Sequence, residues 1–286
     1  MVKTIGNPLT WLFQGARNTG EAVGDATTAL GSPVTETPDT RPIGMDHIRS
    51  ALKQGYADFA RFRSDVMFLV AIYPIIGIVL AIMAFDRALM PMIFPLASGF
   101  VLLGPVAAVG LYEMSRQAET REDVGWGAGL SVLKAQNIGP VLVMALYLLG
   151  LFVVWMLVAM ELYGATLGPE PPVSLAAFLK DVFTTPAGWT MIVIGTGAGG
   201  VFAGAVLVVS LITFPMLVDQ RVGLPVAVAT SVQVARRNPA TVAAWGAIVA
   251  VLMGLGSLPF FLGLIVILPV LGHATWHLYR AALPLE

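Results

Sequence analysis

Long apolar stretches alternate with short polar ones from residue 66 to residue 280, and their lengths predict the elements. Val66 to Phe85 supplies 20 predominantly apolar residues, about 30 Å of helix and enough to cross a bilayer. Pro74 is expected to kink it. Three further spans are expected over 90–114, 139–163 and 189–218. The run 241–280 holds 40 residues, about 60 Å as one helix, which is two crossings. Gly254, Gly256, Ser257 and Pro259 mark the reversal, placing spans at 241–257 and 259–280.

The polar stretches carry their own pattern. From Asp46 to Asp65, Ile48, Leu52, Tyr56, Phe59 and Phe62 recur at helical spacing, flanked by Arg49, Lys53, Arg61 and Arg63. This predicts a basic amphipathic helix of the kind that lies on an anionic membrane surface. Residues 1–44 form a polar arm, partly disordered in its Pro- and Thr-rich part, with a small apolar patch at Trp11, Leu12 and Phe13. Between 164 and 188, Ser174 is placed to cap a short surface helix through Phe183.

The odd-numbered spans are each preceded by a similar surface segment. Residues 51–66, 126–141 and 226–241 align without gaps, so that Ala60, Ala135 and Ala235 coincide, as do Tyr56, Ser131 and Ser231. Pro105 and Arg116 match Pro269 and Arg280 at a single offset, which also sets Val109 and Glu113 against His273 and His277. The expected fold is therefore an all-α membrane protein: six transmembrane helices in three repeated units of cytoplasmic amphipathic helix plus transmembrane hairpin, spanning residues 45–286.

Composition agrees with that architecture. The 286 residues are 57% hydrophobic and 12% charged, about half the charge of a soluble domain, and mean hydropathy is +0.83. Of the 16 Lys and Arg residues, 14 fall on one side of the expected spans, which places both termini in the cytoplasm. A net charge of -1 gives no case for a nucleic-acid partner. The absence of cysteine excludes disulfides, thiolate metal sites and cysteine nucleophiles.

Candidate chemistry is sparse. His273 and His277 share one helix face, a spacing that lets two imidazoles hold a metal or serve as haem ligands, with Glu113 as a third metal ligand. The alternative is an interfacial belt with Trp276, Tyr279 and Arg280. Glu113 pairs either with Arg116 one turn away or with His277 across the repeat. Gly195/Gly199 and Gly200/Gly204 are small-xxx-small pairs expected to pack helices closely. Arg61, Arg63, Arg116, Arg236, Arg237 and Arg280 are expected at the membrane surface, where lipid headgroups lie.

The phrases Gly104-Pro105-Val106, 110–116 (GLYEMSR), 210–219 (SLITFPMLVD), 263–266 (GLIV) and 272–280 (GHATWHLYR) carry a resemblance covering roughly residues 45–282. They resemble a family of bacterial, largely proteobacterial, integral inner-membrane proteins known as a domain of unknown function, some of which bear a provisional cytochrome c oxidase subunit label. The resemblance implies a bacterial inner-membrane, multi-pass protein and no established activity. It does not extend to haem-copper catalysis, since the chain has three histidines and His47 lies outside the spans.

No H-E-x-x-H, no G-x-S-x-G and no acid–base pair is present, so an enzyme is not expected. The reading is a non-catalytic accessory, assembly or scaffold subunit of a larger inner-membrane complex, respiratory or photosynthetic by the family label. Its partners are membrane lipids and other integral subunits. The alternatives are a transporter or channel for a small solute or lipid, and a haem or metal binder through His273 and His277.

Overall fold

The computed structural model describes residues 37–70, 79, 82, 83, 86, 88–121, 123–132, 138–258 and 261–283. The Trp11–Phe13 patch, most of the expected first span with Pro74, the repeat position Ala135 and Pro259 lie outside the described residues. Among the described residues the regular structure is helical throughout: α1 (Met45–Val70), α2 (Ile93–Leu102), α3 (Gly104–Ala107), α4 (Val109–Ala118), α5 (Trp126–Ser131), α6 (Ile138–Thr166), α7 (Leu175–Thr184), α8 (Pro186–Ser210), α9 (Thr213–Asp219), α10 (Leu224–Arg237), α11 (Pro239–Ser257) and α12 (Leu264–Ala282).

Three of these stretches are long and apolar enough to cross a bilayer: α6, the stretch Pro186–Asp219 that contains α8 and α9, and α11. α6 runs 29 residues without a break because nothing in it interrupts the backbone ladder. The chain leaves it through Gly168, whose φ of 98° is open to glycine without strain. α7 starts where expected, with the Ala177 N–H donating to Ser174 Oγ at 3.2 Å. Thr185 caps α8 in the same way, accepting from the Gly188 N–H at 3.0 Å, and Pro186 occupies the first helical position.

The second span departs from the simple pattern. Instead of one helix over 90–114 the chain makes a 3-10 turn at Met90–Met92 and then α2, α3 and α4, bent at Leu103 and Ala108. Pro105 cannot donate to the carbonyl one turn earlier, and the chain bends around it. Pro215 has a like effect between α8 and α9. There Ser231 Oγ of α10 accepts from the Ile212 N–H at 3.2 Å and donates to the Val208 carbonyl at 2.7 Å, so the broken ladder is satisfied from outside.

Two packing centres organise the bundle. Trp155 of α6 donates its indole N–H to the Pro95 carbonyl of α2 at 2.9 Å and packs its ring on Phe202 of α8 at 5.8 Å. α12 is the other centre, packed most extensively along α1, with Trp276, Leu278, Tyr279 and Ala282 fully buried. The end of the arm is fixed as well. The Arg41 N–H donates to the Ala282 carbonyl, the Ile43 N–H to Asn238 Oδ1, and Arg237 to the Thr40 carbonyl.

Candidate functional site

The site is built on α12, whose two faces do different things. α1 crosses it at Gly55, where an added Cβ would lie 2.6 Å from the Ala274 nitrogen and the Val270 carbonyl oxygen. The buried row of α1 is therefore Ile48, Ala51, Gly55 and Phe62, set on α12. This corrects the expected apolar face by a fraction of a turn: Tyr56 is 61% exposed. The rotation carries Asp58 inward, one turn beyond the crossing.

Asp58 Oδ2 receives the Ser115 hydroxyl at 2.8 Å and lies 2.8 Å from His277 Nε2 and 3.9 Å from His273 Nδ1. Ser115 Oγ is also 2.7 Å from His273 Nδ1, so one hydroxyl bridges carboxylate and imidazole. If Ser115 donates to Asp58, His273 donates its Nδ1–H to Ser115 and leaves Nε2 as a bare acceptor. His273 is fully buried against Phe62, ring centroids 6.0 Å apart, and its Nε2 has no hydrogen-bond partner among the described residues. Burial pushes the Asp58 carboxyl up, but the hydrogen bonds from His277 and Ser115 and the nearby imidazoles hold it, on balance, below its ordinary value.

This trio does not have the order of a nucleophilic triad, in which the carboxylate orients the histidine and the histidine activates the serine. Here the buried serine is committed to both partners. The arrangement ties α1, α4 and α12 together.

Glu113 does not join the histidines. Its carboxylate receives Arg116 in two bonds of 2.8 and 2.7 Å, Gln117 at 2.7 Å and the Ser131 hydroxyl at 3.3 Å. The expected His273–His277–Glu113 ligand set is thus not assembled, because the local i, i+3 and i, i+4 partners saturate the carboxylate first. Among the described residues no group of three His, Asp or Glu side chains is placed to hold a metal ion. The hydrogen bond to Glu113 raises the Arg116 guanidinium further above its ordinary value.

Arg280 forms the third cluster. It reaches Asp219 at 2.6 and 2.8 Å and Glu119 at 2.9 Å twice, while stacking over Trp276 at 4.7 Å. Tyr279 donates to Asp219 at 2.7 Å and the Trp276 indole to Glu119 at 2.8 Å. Arg116 takes the local partner expected for Glu113, and Arg280 is turned onto Asp219 and Glu119 of its own chain. Arg236 and Arg237 are exposed, and Arg61 lies 5.2 Å over the Phe62 ring. The Arg63 side chain lies outside the described residues.

On the opposite face of α12 lies a pocket of about 410 Å³. Its inner end is made by Tyr112, Leu271, Gly272 and Thr275, its outer walls by Gly200, Ala203 and Gly204 of α8 and by Ala243, Ala247 and Ala250 of α11. Two of the four glycines expected to pack helices do so: a Cβ at Gly195 would meet Leu162 and one at Gly199 would meet Trp155, both at 3.2 Å. Gly200 and Gly204 do not, since a Cβ there would meet nothing within 4 Å. They line the pocket instead.

Asp58 was not legible as a site residue, although it is an acid on a helix face otherwise filled by Ile48, Ala51, Gly55 and Phe62. Glu119 and Asp219 gave no signal beyond lying at the polar ends of apolar stretches.

Residues 93–219 match the model of a family described as "Predicted integral membrane protein (DUF2189)". The description agrees with the integral-membrane family of unknown function that the sequence resembles, and the match covers α2 to α9. No curated protein and no solved structure matches the chain.

Proposed function

We propose that this protein is a non-catalytic, multi-pass accessory or scaffold subunit of a bacterial inner-membrane complex, with six spans in three repeated units and both termini in the cytoplasm. The observation that carries the reading is how the polar side chains around α12 are spent. Asp58, Ser115 and His277, then Glu113 and Arg116, then Asp219, Glu119 and Arg280 bond to one another, largely across helices. Groups used as struts are not free to do chemistry, and a rigid bundle suits a protein that holds neighbours in place.

Two further features support it. α6 presents Leu142, Leu146, Val153, Val154, Leu157 and Met160 to its surroundings, an apolar surface open to lipid or to the helices of another subunit. Ser131 and Ser231, equivalent in the proposed repeat, each hydrogen-bond to an earlier helix, Ser131 to the Glu113 carboxylate of α4 and Ser231 to the Val208 carbonyl of α8. The family label, respiratory or photosynthetic, gives the first complex to look for. Purification of the full-length chain from native membranes in a mild detergent, followed by cross-linking and mass spectrometry, tests the proposal. Reproducible recovery of other integral membrane subunits is expected. Recovery solely as a monomer or homo-oligomer overturns it.

A further inference from the structure

The pocket beside α12 has features that helix packing does not require. Gly104, Gly200 and Gly204 line it, yet a Cβ at each would meet nothing within 4 Å, so these glycines keep space open and are not pressed against a neighbour. Gly200, Ala203, Ala243 and Ala247 are exposed, which opens the pocket sideways between α8 and α11, two stretches long and apolar enough to lie within a bilayer. Inside a membrane the medium at that opening is hydrocarbon, not water.

The lining also selects the occupant. Among the described residues no Asp, Glu, Lys, Arg or His lines the pocket, so an ion or a charged solute would find no counter-charge there. Water is disfavoured for want of enough polar partners. Its polar side chains among the described residues are few: the buried Tyr112 hydroxyl shares a hydrogen bond with Thr275, and Ser210 and the Trp245 indole also line it. At about 410 Å³ the volume lies within the range of small-molecule sites.

We propose that this pocket binds the hydrocarbon chain of one membrane lipid, admitted laterally between α8 and α11, with the lipid's polar end toward Tyr112 and Thr275. The occupant is long and flexible, because the pocket runs from Val101 and Met253 to Thr275 past walls of glycine and alanine. Such a chain fills the void that the glycines leave, without any charged contact. Two sources share this chemistry: the acyl chain of a phospholipid and the chain of a neutral prenyl lipid.

The test uses the full-length protein purified from native membranes, with retained lipid identified by native mass spectrometry and by extraction. The double variant Gly200→Leu with Gly204→Leu fills the pocket from α8, and Ala247→Leu fills it from α11 should the first not fold. Gly197→Leu lies on the same helix outside the pocket, with open space at its Cβ, and serves as the control. One retained lipid is expected in the wild type and in Gly197→Leu, falling about tenfold or more in the filled variants. The mass of the molecule distinguishes phospholipid from prenyl lipid, and either supports the proposal. Equal retention in a folded filled variant, or no lipid in the wild type, overturns it.

Discussion

Asp58 and His277 stand 219 positions apart in the chain and meet at 2.8 Å. The contact joins α1, the first described helix, to α12, the last, one turn from the place where Gly55 lets their backbones touch. Ser115 completes it from α4, so one carboxylate holds three helices.

Removing that carboxylate is expected to loosen the bundle. Asp58→Ala strips His277 and Ser115 of their shared acceptor in a partly buried place, and a loss of about 1–3 kcal/mol is expected. Thermal unfolding in detergent measures it. A variant as stable as the wild type would show that water replaces the carboxylate at no cost.

The same carboxylate predicts a pH dependence. Its pKa in the folded protein lies below the ordinary value of 3.8, so the stability it contributes is fully present above that value and is lost as pH falls through the lowered folded value. Asp58→Asn cannot ionise. The stability gap between wild type and Asp58→Asn is therefore expected to shrink as pH falls from about 5 through the lowered folded value. A gap that widens below about pH 5 has the wrong sign for this carboxylate and refutes the assignment.

Gly55→Ala is expected to destabilise, against the usual gain in helix propensity of up to about 1 kcal/mol. The new Cβ would lie 2.6 Å from backbone atoms at Ala274 and Val270, which cannot swing aside as a side chain can. Parting α1 from α12 costs about 1–3 kcal/mol. Gly197→Ala, where a Cβ meets nothing within 4 Å, is the contrast and is expected to be neutral or stabilising. Thermal unfolding of the two variants side by side decides it.

Arg280→Lys is expected to cost about 1–3 kcal/mol, because an ammonium cannot match the forked bonds to Asp219 and Glu119 at once. Arg236→Lys, at an exposed position, is expected to stay within about 0.5 kcal/mol of the wild type. Equal losses at both positions would show that charge alone matters.

The expectations that held rest on local patterns. The lengths of apolar runs located α6, α8 with α9, and α11, and Ser174 announced the start of α7. The i, i+3 pairing of Glu113 with Arg116 was also open to inspection, since both partners lie on one helix. What was not legible depends on rotation and on distant partners. The face of α1 turned by a fraction of a turn because Gly55 admits α12 more closely than Leu52 or Tyr56 could, and that turn exchanged an exposed Tyr56 for an inward Asp58. Gly200 and Gly204 have the same spacing as a packing pair, yet packing or open space at a glycine is decided by the helix opposite.

By itself the amino-acid sequence determined that this chain is helical and built for a membrane, because hydrophobic length and the scarcity of charge are properties of the chain read in one dimension. Only the tertiary structure decided that the two C-terminal histidines belong with Asp58 and Ser115 and not with Glu113, and that glycines on α8 open a pocket. The physical reason is the same in each case. A buried polar atom or an open space is defined by what lies across from it, and across a helix bundle that neighbour is set by how the helices cross.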